Sequence, residues 1–233
     1  MQFPHPLITG TLIKRYKRFL ADVLLDSGEI TTAHCTSTGS MAGLAIPGSK
    51  VWLSKAANLD RKLPYTWEMV ECEGAMVGVN TSHPNALVQE AILGGHLVDF
   101  TGYEMLKREV KYGKNSRIDI LLSSPDRPPC YIEIKNVHSK RGDVIDFPDA
   151  VTERGVKHLR EMMDMVSLGH RAAMVYVVQR QDGEQFSFAQ DIDPVYAQTA
   201  REAFAAGVES YVYPCSMTVE GITLLPKQLV KLF

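Results

Sequence analysis

Arg117-Ile118-Asp119-Ile120-Leu121-Leu122 and Tyr131-Ile132-Glu133-Ile134-Lys135 are the stretches whose reading decides the fold of this chain. Successive side chains on a strand face opposite sides, so Arg117, Asp119 and Leu121 are expected on one face and Ile118, Ile120 and Leu122 on the other, in the core. In the second stretch Ile132 and Ile134 point inward, which leaves Tyr131, Glu133 and Lys135 opposite. If the two strands pair through the Ser123 to Pro129 connection, Asp119 and Glu133 converge with Lys135 beside them. That is a divalent-metal site in outline. Mg2+ and Mn2+ prefer oxygen ligands, and Mg2+ commonly takes one or two carboxylates, water and substrate phosphate oxygens. A neighbouring lysine offsets the negative charge that grows on a phosphate under attack.

The same alternation describes any half-exposed sheet, and the spacing alone favours that plainer reading. Two features weigh on the other side. Glu90, on a preceding helix, could supply a third carboxylate. Arg154, Lys157 and His158 stand at i, i+3 and i+4 of a later helix, a spacing that makes one basic face suited to backbone phosphates, although a solvated helix face reads the same way.

Working outward, the first third reads as short strands: Leu7 to Arg18, Phe19 to Leu25, Ile30 to Cys35, Val51 to Leu53, Thr66 to Glu71 and Ala75 to Val79. Turn signals at Asp26-Ser27-Gly28, Pro47-Gly48 and Glu73-Gly74 separate them, which suggests a small antiparallel barrel over residues 1–83. Pro84 suits the first turn of a helix that runs to Gly94. Residues 84–233 then read as an α/β domain with a mixed sheet. A helix is expected near Thr152 to Ser167, with Val156, Leu159, Met163 and Val166 on one face. Ala173 to Val178 reads as a buried strand, Asp193-Pro194 opens a helix that ends at Gly207, and Ser210 to Tyr213 is a further strand.

A chain of 233 residues, 45% of them hydrophobic, holds ample material for a packed core. No apolar run approaches the roughly 18 residues of a membrane-spanning helix, and the first ten residues read as no basic-and-apolar leader, so a cytoplasmic protein is expected. Cys35, Cys72, Cys130 and Cys215 form no C-x-x-C pair and read as free thiols. A formal net charge of −2 argues against general coating of nucleic acid. Binding would have to come from a local patch, and Lys14-Arg15-Tyr16-Lys17-Arg18-Phe19 is one. The chain has no Gly-rich phosphate loop and no G-x-G-x-x-G, so no nucleotide cofactor is expected.

Several stretches together resemble the bacterial sugar fermentation stimulation protein family over essentially the whole chain. They are Tyr16 to Asp22, His34-Cys35 with Thr38-Gly39, Glu109 to Gly113, Arg117-Ile118-Asp119, Tyr131 to Lys135 and, long and highly specific, Phe147-Pro148-Asp149-Ala150-Val151-Thr152-Glu153-Arg154-Gly155. The resemblance implies an OB-like barrel followed by a nuclease-like domain of the PD-(D/E)xK type. It also implies DNA binding and a regulatory link to sugar, especially maltose, metabolism. By position Asp119 matches the metal-binding aspartate, Glu133 and Lys135 the E-x-K pair, and Glu90 the glutamate of the preceding helix. Ser37 stands where the family usually has asparagine, which keeps a hydroxyl and loses the amide.

On an OB-type surface, interleaved cations and aromatics neutralise backbone and stack bases. Lys14, Tyr16 and Arg18 would share one strand face and Arg15, Lys17 and Phe19 the other. Phe19 is then expected in the core, with Tyr16 and its flanking cations in contact with DNA. The other reading is an ordinary basic edge strand kept soluble by its charges. His34 is left out of the metal site. Three functions follow. The first is a DNA-binding protein, largely non-specific in sequence, taking double- or single-stranded DNA and using Mg2+ or Mn2+ for phosphodiester cleavage. The second is a non-enzymatic DNA-binding regulator on an inactive nuclease scaffold, and the third, weaker, is a module that senses sugar status. A homo-oligomer stays open.

Overall fold

Alternating apolar positions in the first third become six strands of the computed structural model, which describes residues 1–56, 58, 60–113 and 115–233. They are β1 (Ile8–Tyr16), β2 (Leu20–Leu25), β3 (Ile30–His34), β4 (Lys50–Lys55), β5 (Tyr65–Cys72) and β6 (Ala75–Gly78). The first five close into a ring in the order β3-β2-β1-β4-β5, with β3 returning to β5. An odd ring cannot close with antiparallel pairs alone. One seam is therefore parallel, Ala33 against Tyr65 and His34 against Thr66, where the sequence suggested an antiparallel barrel throughout. Leu12, Val23, Val51, Leu53, Trp67 and Val70 fill the interior. This is an OB-like barrel.

The second domain opens with α1 (Pro84–Leu93) and continues through β7 (Met105–Tyr112), β8 (Ser116–Ser124), β9 (Arg127–Val137), β10 (Ser139–Arg141) and β11 (Val144–Phe147). Then come α2 (Glu153–Ser167), β12 (Arg171–Val178), β13 (Gln185–Phe188), α3 (Pro194–Ala205), β14 (Glu209–Met217), β15 (Ile222–Leu224) and β16 (Val230–Lys231). The main sheet runs β15-β14-β12-β9-β8-β7. Its centre, β9, β12 and β14, is parallel and its flanks are antiparallel, the mixed sheet expected. Asp193 starts α3 as the sequence reads, accepting from Tyr196 N at 2.9 Å, and Thr152 caps α2 by accepting from Gly155 N at 3.1 Å.

Period-two alternation on β12 divides the domain into two cores. Ala172, Met174, Tyr176 and Val178 pack with α2 and α3, while Ala173, Val175 and Val177 pack with α1. Burial of both faces explains the continuous apolar run. On β9 the same alternation sends Ile132 and Ile134 to the α1 side, so Glu133 meets α2. The sequence did not disclose β7, a mostly exposed edge strand with few apolar positions, nor the small β10-β11-β13-β16 sheet.

The two domains share packing. Trp52 and Met69 of the barrel enter the α1-side core, and Gly78 N donates to Gln179 O at 2.8 Å. The chain's first residues join the second domain: Gln2 bridges to Gly221, and Phe3 N donates to Glu220 O. All four cysteines are free thiols, and among the described residues no helix is long and apolar enough to cross a membrane.

Candidate metal and nucleic-acid site

Pairing of β8 with β9 stops at Ile120–Ile132, one step before the register would set Asp119 opposite Glu133. Beyond that point a side chain replaces the main-chain ladder. Asp119 Oδ2 accepts from Ile134 N at 2.7 Å, and Oδ1 accepts from Asn85 Nδ2 of α1 at 2.8 Å. The distortion reaches the other neighbour as well. Ile120 pairs with Arg108 and Ile118 with Val110, while Glu109, opposite Asp119, has a left-handed φ of 52°. Strain of this kind in a non-glycine residue costs about 1–3 kcal/mol and clusters at functional sites. It also breaks the expected alternation: Ile120 and Leu122 pack on the α1 side as read from the sequence, but Ile118 crosses to the α2 side.

Glu133, 3% exposed, receives Lys135 Nζ at 2.8 Å on Oε1, the atom that also pairs with His158 Nδ1. Arg154 Nε donates to His158 Nε2 at 3.3 Å, so the imidazole proton belongs on Nδ1, facing Glu133. The other carboxylate oxygen, Oε2, is buried with no hydrogen-bond partner among the described residues. The two acids are pushed apart in proton affinity. Burial and the charge of Glu133 raise the Asp119 pKa. Burial pushes Glu133 up as well, but the Lys135 charge and the His158 contact outweigh it and hold Glu133 below the usual range. The Tyr112 hydroxyl, buried without a partner among the described residues, has its pKa raised by burial and then by Glu133, Glu161 and Asp119.

The other residues singled out in the sequence are distributed unevenly. Glu90 does not join Asp119: it is exposed and pairs with the Met1 amino group at 2.9 Å. Asn85 and Glu90 are five residues apart, a rotation of roughly 140° about the helix axis, so the face that presents Asn85 to Asp119 turns Glu90 away. Among the described residues no group of three or more His, Cys, Asp or Glu side chains converges to hold an ion. Arg154 and Lys157 are exposed on α2 above Asp119 and Glu133, whereas His158 is buried with Glu133 and is no part of a solvated basic face. Sequence reasoning missed Asn85 altogether. The one available signal was a polar amide in the first turn of α1.

In the barrel, Arg15 is committed to main chain rather than to solvent. Its guanidinium donates to Ser37 O at 3.0 Å, Gly39 O at 3.1 Å, Arg18 O at 3.2 Å and Ser40 O at 3.4 Å. Tyr16 OH donates to Asp22 at 3.0 Å, and Lys14 lies 3.6 Å from the same carboxylate and over the Tyr16 ring. Lys17 and Arg18 form the β1–β2 turn with left-handed φ of 48° and 65°. Among the described residues their side chains have no protein partner. That turn turns Phe19 outward, 47% exposed, where a core position was expected.

The sequence matches the family described as SfsA N-terminal OB domain over residues 13–79 and the one described as Sugar fermentation stimulation protein RE domain over residues 82–221. A sugar fermentation stimulation protein homolog of Paramagnetospirillum magneticum is 54% identical over 96% of this chain and 95% of its own length. This chain belongs to the sugar fermentation stimulation protein family. A homolog of Geotalea uraniireducens is 51% identical with 100% of both chains covered. The solved structure of Pyrococcus furiosus SfsA in complex with Ca2+ superposes with a TM-score of 0.90 at 25% identity, covering 100% of this chain and 98% of that one. The OB-like barrel followed by a PD-(D/E)xK nuclease-like mixed-sheet domain is thus the fold of a sugar fermentation stimulation protein. Two of the stretches that carried the resemblance meet in space: Met41 N donates to Asp149 Oδ2 at 3.3 Å, and a Cβ added to Gly39 would run into that oxygen.

Proposed function

We propose that this protein binds DNA with little sequence preference and hydrolyses phosphodiester bonds at a site made by Asp119, Glu133 and Lys135 with bound Mg2+ or Mn2+. The observation that carries the reading is the buried Oε2 of Glu133, without a partner among the described residues, near an aspartate that interrupts the strand ladder. A buried carboxylate oxygen without a donor is costly unless something positive meets it. Two carboxylates also suit Mg2+, which retains waters and recruits phosphate oxygens. The Pyrococcus furiosus relative was solved with Ca2+, another oxygen-seeking divalent ion, which supports the same class of ligand here.

Asp119 and Glu133 would hold the ion, which when bound supplies charge neutralisation at the phosphate and acidifies water. The chain's own groups do the remaining work. Asn85 and Ile134 N fix the Asp119 carboxylate, and His158 fixes Glu133. Lys135 Nζ, at 2.8 Å from Glu133, keeps a cation where negative charge grows on the phosphate. Arg154 and Lys157 meet the DNA backbone next to the site, and Lys17 and Arg18 meet it from the barrel. Plasmid and single-stranded DNA incubated with Mg2+ or Mn2+ should be cut by the wild type and left intact by Asp119→Ala. Equal cutting by both, or none by the wild type under any condition, refutes the hydrolytic reading.

One feature supports a second reading, a non-enzymatic DNA-binding regulator of sugar metabolism. Lys135 and His158 already meet Glu133 Oε1, so the site's charge is partly balanced by protein alone. That reading expects DNA binding to survive EDTA and the loss of Asp119.

A further inference from the structure

The two stretches that meet at Gly39 and Asp149 form opposite walls of a cleft of about 300 Å3 between the domains. The barrel wall is Arg18 with Ser37-Thr38-Gly39, where Arg15 holds the Ser37 and Gly39 carbonyls in place. The facing wall is the Phe147 to Thr152 segment that leads into α2, and the floor is the end of β9 from Asn136, the residue after Lys135. The cleft therefore opens one step along the chain from the candidate metal site.

Its polar groups are arranged for a ligand with an anionic end and a hydrogen-bonding end. Arg18 places an exposed cation, without a side-chain partner among the described residues, at the barrel side. On the far side Asp146 has one carboxylate oxygen held by Arg141, while the other, Oδ1, is buried with no donor among the described residues. His138 is already engaged, with Asn136 Nδ2 at 3.2 Å and Asp149 Oδ2 at 3.5 Å, so it stiffens the floor. The missing element is an N–H donor for Asp146. A nucleobase has such donors on its pairing edge only when it is unpaired, and its phosphate supplies the anion that Arg18 lacks. A volume near 300 Å3 is at the small end of ligand pockets, the scale of one nucleotide.

We infer that this cleft seats one unpaired nucleotide of a DNA strand, with its phosphate at Arg18 and its base edge toward Asp146, next to the Asp119–Glu133 site. The inference rests on the DNA-binding reading above and narrows it to strands that are single, frayed or able to extrude a base. Extrusion costs a few kcal/mol in a sound duplex and least where pairing is already lost, so the cleft favours unpaired DNA.

The test uses the full chain in Ca2+ with a short single-stranded oligonucleotide carrying 2-aminopurine, whose fluorescence reports stacking. Binding should change the fluorescence saturably at one position of the strand. Val151, at the rim and 72% exposed, can be enlarged without disturbing the core, so Val151→Trp should fill the cleft and weaken binding by about tenfold, the scale of one lost base contact. Asp146→Asn should weaken it too, but that change also removes the Arg141 partner, and the rim variant decides if it unfolds. Equal affinity and equal fluorescence change in Val151→Trp overturn the cleft alone. Failure of the wild type to bind DNA of any form overturns the DNA reading and the cleft with it.

Discussion

Replacing Arg15 with alanine should damage the fold of the barrel rather than merely remove a charge from a DNA-binding strand. The guanidinium reaches four main-chain carbonyls, and the bonds to Ser37 O and Gly39 O, at 3.0 and 3.1 Å, are the better sheltered. A hydrogen bond from a charged donor contributes about 1.5–3 kcal/mol when sheltered and less when wet, so two half-buried bonds and two exposed ones give a loss of about 2–3 kcal/mol. For a chain of this size each kcal/mol lowers the melting temperature by roughly 2–4 °C, so Arg15→Ala should melt about 5–10 °C below the wild type. Arg18→Ala, which removes an exposed side chain without a protein partner, should stay within about 0.5 kcal/mol of the wild type. Thermal unfolding followed by circular dichroism makes the comparison. Coincident melting of Arg15→Ala and the wild type would refute the role assigned to the guanidinium.

In a salt titration of DNA affinity, Lys17→Ala should lower the slope of log affinity against log salt by about 0.9, while Lys14→Ala, whose charge faces Asp22, should change it little. Gly39→Ala should destabilise the seam between the domains by about 1–3 kcal/mol in denaturant melts, because the new Cβ meets the Asp149 carboxylate. Burial raises the Glu68 pKa, but hydrogen bonds from His83, Ser54 and Asn80 outweigh it, so the folded value lies below the ordinary one. Stability from Glu68 is accordingly present above the unfolded pKa and lost as pH falls through the folded one. Melting temperature should drop on acidification below about pH 4.5, and Glu68→Gln should lessen that dependence in a pH series of melts.

How far the sequence disclosed this structure depended on whether a local rule governed each position. Alternation on β9 and the helix start at Asp193-Pro194 were legible because period and capping chemistry act over a few residues. Asp119 was placed correctly on its strand, but its partners were not. The strand leaves its ladder there, so Ile118 changes sides and the carboxylate reaches Ile134 N and Asn85, contacts that no spacing rule encodes. Glu90 was read as a third carboxylate from its place on the preceding helix and from the family pattern, whereas helical rotation turns it away from the Asn85 face and toward the Met1 amino group. In the basic segment, alternation put Phe19 inside, whereas two consecutive left-handed residues, Lys17 and Arg18, turn it out. His158 read as one member of a charged face because burial beneath Arg154 is a tertiary fact.

Calorimetric titration of Mn2+ into the wild type, Asp119→Ala and Glu133→Gln asks directly whether these two side chains grip one cation. A single site is expected in the wild type, weakened at least tenfold or abolished by either substitution, with both variants still folded by circular dichroism at the titration temperature and neutral pH. Undiminished Mn2+ binding in the two folded variants, or none in the wild type, would contradict it.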